Sequence, residues 1–541
     1  MATLVNGGYP GPLIFANKGD TLKINVVNKL KDPSMYQTTS IHWHGLLQHR
    51  NADDDGPAFV TQVMPIIPEA SYTYTIPLED QTGTYWYHSH LRSQYVDGLR
   101  GPLVIYGLSS HNSAFCTSAP NLISRRPQRP HRHLYDVDDE KTVLIIGDWY
   151  HSSSKEILES RNITRQRPDS GTINGKGRFD PDTMPANSDT LYTLKVKRGK
   201  RYRLRIINSS AIASYRVDIP SHKMTVIAAD GVSTQPYKVD RFDILAGQRI
   251  DVVLEANQEP DTYWINAPMT NVANKTAQAL SFTRKTRGHP TLQGAIPQVG
   301  VSVQEGIKPR MIEGGHVALL HGRDFVKRQN ETSANTTTPV IMDEAKLVPL
   351  ENPGAACGSK PADSFWILLL AWFNFTSGHW MINGIPYEFP NIPTLLKILT
   401  DKDAVTESDF TKPEHTVILP KGKCIEFNIK GTSGLGILHP IHLHGHTFDV
   451  VQFGNNIPNY INPPRRDTVG SLDSGVRIQF KTDNPGPWFL HCHIDWHLEE
   501  GFAMVFAEAP EAIKQGPNSV PVDQQWRDLC RKYETLPPGF L

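Results

Sequence analysis

Residues 491–497 read His-Cys-His-Ile-Asp-Trp-His and follow Pro-Gly-Pro-Trp-Phe-Leu, an aromatic and apolar run suited to a buried β-strand. Successive side chains of a strand point to opposite faces. Cys492 therefore faces one way, while His491 and His493 both face the other. One strand can then serve two metal sites through covalently adjacent residues. His497, five residues beyond Cys492, returns to the thiolate's side once the chain bends. A thiolate with two imidazoles is the ligand set of a blue-copper electron-transfer site. Taken alone, the heptapeptide also suits a buried cysteine in a histidine-rich strand, or zinc. Three further clusters favour copper: His42-Trp43-His44, His88-Ser89-His90, and a run holding His439, His442, His444 and His446. Together the four clusters hold eleven of the 22 histidines, far from a chance distribution.

In chain order HWHG, HSH, HPIHLHGH and HCHIDWH resemble the four copper-binding segments of multicopper oxidases. The stretches QHRNADDDGPAFVTQ, DNPGPWFLHCHIDWHLEEGFA and WRDLC are similar to fungal laccases, particularly those of basidiomycetes. The resemblance implies four coppers. His439, Cys492 and His497 would hold a type 1 copper, and His42 and His442 a type 2 copper. His44, His88, His90, His444, His491 and His493 would hold a type 3 pair. His446 lies outside that pattern and is expected to hydrogen-bond behind the ligands. Phe502, ten residues after Cys492, falls at the axial position. A phenyl ring cannot coordinate, which implies a high-potential site.

The resemblance also implies one-electron oxidation of phenols or aromatic amines, coupled to reduction of dioxygen to water, in lignin degradation or the detoxification of phenolics. A ferroxidase is the alternative among enzymes, and an inactive homologue the alternative from another class. Asp80 and Asp495 match family positions near the three-copper cluster, where they would relay protons. Asp80 equally suits a turn. Asp218, in SYRVDIPSH, aligns with an acid that contacts phenols; it would accept the substrate's proton while His497 takes the electron.

The rest of the sequence bounds the setting. At 541 residues the chain holds three or four domains. Its formal net charge is zero, so bulk electrostatics offers nothing to nucleic acid or an anionic membrane. The longest apolar run, Trp366 to Phe373, is too short to span a bilayer. A monomer is expected. Beyond Cys492, the cysteines Cys116, Cys357, Cys424 and Cys530 allow three pairings. Asn162, Asn208, Asn274, Asn330, Asn335 and Asn374 open N-x-S/T sequons, which fit a secreted glycoprotein, although no signal peptide opens the chain. Similar laccases tie the C-terminal cysteine, here Cys530, to a position that is Val96 in this chain. A second family cysteine is replaced in Val63-Met64, so the usual disulfide framework is not carried over.

A weak repeat sets the domain count. KGDTLKINVVN, RGKRYRLRIIN and KGKCIEFNIKG each place Gly before polar/apolar alternation, the pattern of a half-buried strand. An aromatic strand follows each one: 67 residues from Gly19 to Trp86, 65 from Gly199 to Trp264, and 67 from Gly422 to Phe489. The reading is an all-β chain of three consecutive Greek-key barrels, over 1–134, 135–300 and 301–541, and the resemblance implies that each is cupredoxin-like. The outer two carry every ligand, so they must meet face to face, with the middle one as spacer and wall. Segments 107–134 and 270–340 lack periodicity; the first reads as an insertion, and 301–340 as irregular. In similar laccases a first strand precedes the Gly7–Pro12 turn. It is missing here, and an uncovered sheet edge is expected in the first domain.

Overall fold

The computed structural model describes residues 2–62, 64–107, 130–177, 191–272, 276–284, 300–305, 338–362, 366–400, 404–431, 436–515, 519–520 and 524–536. Among these residues strands dominate and pair into six sheets, two in each third of the chain. This is the all-β architecture expected. In every unit the Gly-led strand lies in one sheet and the aromatic strand in the other. Thr21–Lys29, Arg201–Asn208 and Cys424–Gly431 take the first role. Gly83–Ser89, Thr262–Pro268 and Gly486–Cys492 take the second. The repeated interval is thus the walk from one sheet to its partner. Alternation on the first set turns apolar residues such as Ile24, Leu204 and Phe427 inward, where each is buried.

Two expectations need correction. The edge of Thr21–Lys29 is not open, because Gly300–Glu305 pairs parallel to it and antiparallel to Thr3–Val5. The backbone groups expected to go unpaired are satisfied by a segment that had read as part of an irregular stretch. Asn208 is fully buried, with its amide donating to Ala213 O and Ile244 O at 2.8 and 3.0 Å, so this sequon is structural and closed to glycosylation. Among the remaining cysteines, Cys357 and Cys424 form a disulfide; Cys530 is a half-buried thiol, and Cys116 lies outside the described residues. The unusual segment 107–134 also falls largely outside them.

The units are welded at their apolar faces. Helix Gln524–Tyr533, at the end of the third unit, seats Trp526 and Leu529 in the core of the first. Val96 of the first unit and Ala211 of the second join the third unit's core. No helix among the described residues is long and apolar enough to cross a membrane.

Candidate metal centre

Four short strands place the histidines. Ile41–His44 pairs antiparallel with Gly83–Ser89, setting His42 opposite His88. His439–Leu443 pairs antiparallel with Gly486–Cys492, setting His442 opposite His491 and Ile441 opposite Cys492. The first and third units then meet with these strands facing. His90 and His491 approach to 3.4 Å between Nε2 atoms, and His444 and His491 to 3.1 Å.

Around Cys492 the alternation has its consequence. The His491 and His493 rings lie 5.7 Å apart on the histidine-rich side. Cys492 Sγ points the other way, 3.7 Å from His439 Nδ1 and 3.6 Å from His497 Nδ1. The bend that returns His497 is the short helix Asp495–Glu499. The two imidazole Nδ1 atoms are 3.1 Å apart. Phe502 is buried, with its ring centroid 5.1 Å from that of His439 and stacked on Trp380 at 5.4 Å. Trp380 also covers His439 and His497, at 4.7 and 4.5 Å. No sequence signal marked Trp380, which reaches the site from a strand far from any histidine motif.

The donor chemistry fits metal ions. Several imidazoles spend Nδ1 on backbone oxygens: His42 on Asp55 O, His88 on Ser89 O and His442 on Asp467 O, each at 2.8 Å. Their Nε2 atoms are buried and unpartnered, as are both nitrogens of His493 and Nδ1 of His44. Orphaned buried nitrogens are costly, and a cation at their focus removes that cost. Burial and the neighbouring imidazoles hold His44, His88, His90, His442, His444 and His493 well below the ordinary histidine range. Burial lowers His439 to about 4 and His491 to about 3. All of them are neutral donors at physiological pH. Burial pushes the Cys492 thiol up, so a thiolate there requires a cation beside it. Among the described residues donor atoms converge in five groups, including His439–Cys492–His497, His90–His444–His491 and His42–His442–His444.

The acids divide differently from expectation. Asp80 is an exposed turn residue, 3.0 Å from Lys18 Nζ, and does not approach the histidines. The carboxylates that do are Asp55 and Asp467. Asp55 Oδ2 meets His444 Nδ1 at 2.9 Å, and Asp467 Oδ1 lies 3.3 Å from His44 Nε2. Asp55 sits in ADDDGP, 11 residues after His44, and Asp467 in RRDTV, 21 residues after His446, too far from the histidine motifs for spacing to mark them. Asp495 is buried beside the Cys492 strand, its Oδ2 unpartnered. Burial first, then the charges of Glu499, Asp148 and Asp97, drive its carboxyl well up, which favours the protonated form. Asp218 is half-buried at a strand end, where Asn266 Nδ2 donates to it at 3.0 Å. His446 donates or accepts at 2.8 Å with Glu508, behind the ligand loop.

Three family models, each described as multicopper oxidase, match residues 1–110, 140–287 and 387–512. Laccase-3 of Thanatephorus cucumeris is 72% identical, over 100% of this chain and 93% of the relative. Among solved structures, a laccase from Botrytis aclada is 30% identical with a TM-score of 0.74, covering 100% of this chain and 89% of that one. Fet3p, a multicopper oxidase that functions in iron import, is 25% identical with a TM-score of 0.73, covering 98% and 90%.

Proposed function

Because the chain belongs to the multicopper oxidase family, we propose that it is a laccase that oxidises phenols and aromatic amines one electron at a time and reduces dioxygen to water. The observation that carries the reading is the shared strand. Cys492 joins His439 and His497 on one face, and its covalent neighbours His491 and His493 join histidines of the first unit on the other.

His439, Cys492 and His497 would hold one copper. His42 with His442, and His44, His88, His90, His444, His491 and His493, would hold the remaining three. When bound, these ions supply one-electron oxidation at the thiolate site and dioxygen reduction at the cluster. The chain's own residues do the rest. The peptide bonds flanking Cys492 give the shortest link between the two sets. Phe502 and Trp380 keep water from the thiolate, and an unbranched phenyl face leaves that site without a fourth donor. His497, at 8% exposure the most accessible of these ligands, is the edge through which an electron donor would make contact. Asp218 would accept the phenol's proton, and protonated Asp495 would hold a proton beside the cluster. Secretion and a monomeric state complete the proposal, with unit boundaries near residues 134 and 300.

The test is copper stoichiometry together with phenol-dependent dioxygen uptake, on the wild type and on Cys492→Ser. The wild type should hold four coppers and turn over. The variant should lose the blue thiolate band and turnover while keeping the imidazole-bound coppers. Loss of all copper from a folded variant would refute the two-site reading.

A further inference from the structure

The middle unit carries none of the proposed ligands, yet its Arg249 reaches the residues that line the cluster. Arg249 opens the strand Arg249–Glu255 and is fully buried. Its guanidinium grips Asp467 of the third unit in a fork, Nη1 to Oδ1 at 2.7 Å and Nη2 to Oδ2 at 2.5 Å. Nε donates to Thr84 O of the first unit at 3.0 Å, and Nη1 to Gly247 O of its own turn at 3.1 Å. One planar group thereby ties three units at a single point.

What Arg249 holds touches the ligands. Asp467 O accepts from His442 Nδ1 at 2.8 Å, and Oδ1 lies 3.3 Å from His44 Nε2. The hydroxyl of Thr468 donates to Asp467 Oδ1 at 2.9 Å and lies 3.3 and 3.2 Å from His44 and His442. Those two rings, from different units, stack at 3.9 Å with their planes 13° apart. The packing leaves no slack. A Cβ on Gly45 would come within 2.4 Å of Arg249 Nη2 and 2.8 Å of Asp467 Oδ2. A Cβ on Gly247, in the same turn as Arg249, would come within 2.7 Å of the His493 ring. The turn is moulded to the cluster on both sides.

We propose that Arg249 is a positioning residue for the trinuclear centre: through Asp467 it fixes His44 against His442 across the interface of the outer units. The middle unit is therefore a working wall of the cluster rather than a spacer. This rests on the laccase reading above, and the experiment separates the two. Partners that orient metal-bound histidines cost about 10–100-fold in metal affinity or activity when removed.

The variants are Arg249→Gln, which loses the fork, Arg249→Lys, which keeps the charge, and Thr468→Val, which removes only a hydroxyl. Each is isolated as the copper-loaded enzyme. Measured are copper per chain, the blue band, the electron paramagnetic resonance signature of the type 2 site, and kcat and KM for a phenol. Expected for Arg249→Gln are loss of cluster copper or an altered type 2 signature, and a kcat lower by about 10-fold or more with KM unchanged. The blue band should persist, and lysine should restore part of the loss. Should Arg249→Gln fail to fold, Thr468→Val must show the altered type 2 signature with the blue band intact. Wild-type copper content, signature and kcat in Arg249→Gln would overturn the inference, as would parallel loss of the blue band and cluster copper. A wild type without copper would instead overturn the laccase reading.

Discussion

Asp55 of the first unit and His444 of the third meet through Oδ2 and Nδ1 at 2.9 Å, across 389 residues of sequence. The backbone carbonyl of Asp55 also takes the Nδ1 proton of His42. One residue thus orients imidazoles from both outer units and aims their Nε2 atoms at a common point. Its carboxyl is raised by burial and lowered by His42, a tension that a metal-bound imidazole would relieve.

Asp55→Ala should accordingly lower kcat by about 10–100-fold and weaken copper retention at the cluster, with the blue band retained. Asp80→Ala, at an exposed ion pair with Lys18, should leave copper content and turnover at wild-type values. Copper assay and steady-state kinetics on the pair would decide the matter. A larger loss from Asp80→Ala would return the relay role to that residue.

At the thiolate site, Phe502 acts through both ring and backbone. Its carbonyl accepts from Cys492 N at 3.1 Å, and its N–H donates to His497 O at 2.9 Å. Neither bond depends on the side chain. Phe502→Met should therefore fold, at a cost well under the roughly 3–5 kcal/mol of a phenylalanine-to-alanine truncation. It should also lower the reduction potential, because a thioether can coordinate weakly where a phenyl ring cannot. Redox titration of the blue band would show it, and an unchanged potential would mean that residue 502 does not face the metal.

Asp97 offers a pH test away from the histidines. Both its oxygens accept from Ser154, the N–H and the hydroxyl at 2.7 Å each, and burial raises its carboxyl to about 6 against those bonds. The unfolded value is near 3.9. A raised folded value means that the native chain binds more protons between the two, so stability falls as pH rises from about 4 to about 6. Two units correspond to roughly 3 kcal/mol at most. Asp97→Asn should lose that portion of the slope and gain on the wild type between pH 4 and pH 7. Denaturant unfolding at both values would measure it; an equal stability difference at both would show that Asp97 does not titrate in this range.

The histidine motifs were legible because local alternation alone separates Cys492 from His491 and His493. The repeat was legible because a fixed interval survives wherever a strand must reach the opposite sheet. What failed was nonlocal. Gly300–Glu305 sits in an aperiodic stretch and becomes a strand only because Thr3–Val5 and Thr21–Lys29 offer it an edge on each side. Asp80 matches a family position ahead of HSH yet is exposed and paired with Lys18, since closeness in sequence to a motif is not closeness to its metal. Arg249 could not be found at all, since its meaning lies in a carboxylate 218 residues away.

The last prediction concerns the substrate's proton. Asp218 is half-buried at the end of Tyr215–Asp218, held by the Asn266 amide, which leaves its second oxygen available as an acceptor. In the proposed reaction a phenol gives up a proton as it gives up an electron, so a carboxylate there lowers the cost of oxidation without touching the metal. Asp218→Asn keeps the shape and removes the basicity. It should lower kcat/KM for phenols and leave donors with no proton to lose within about twofold. Steady-state kinetics on one substrate of each kind, from pH 3 to pH 7, would measure it. Equal losses on both would show that the residue supports the fold of the second unit and not the reaction.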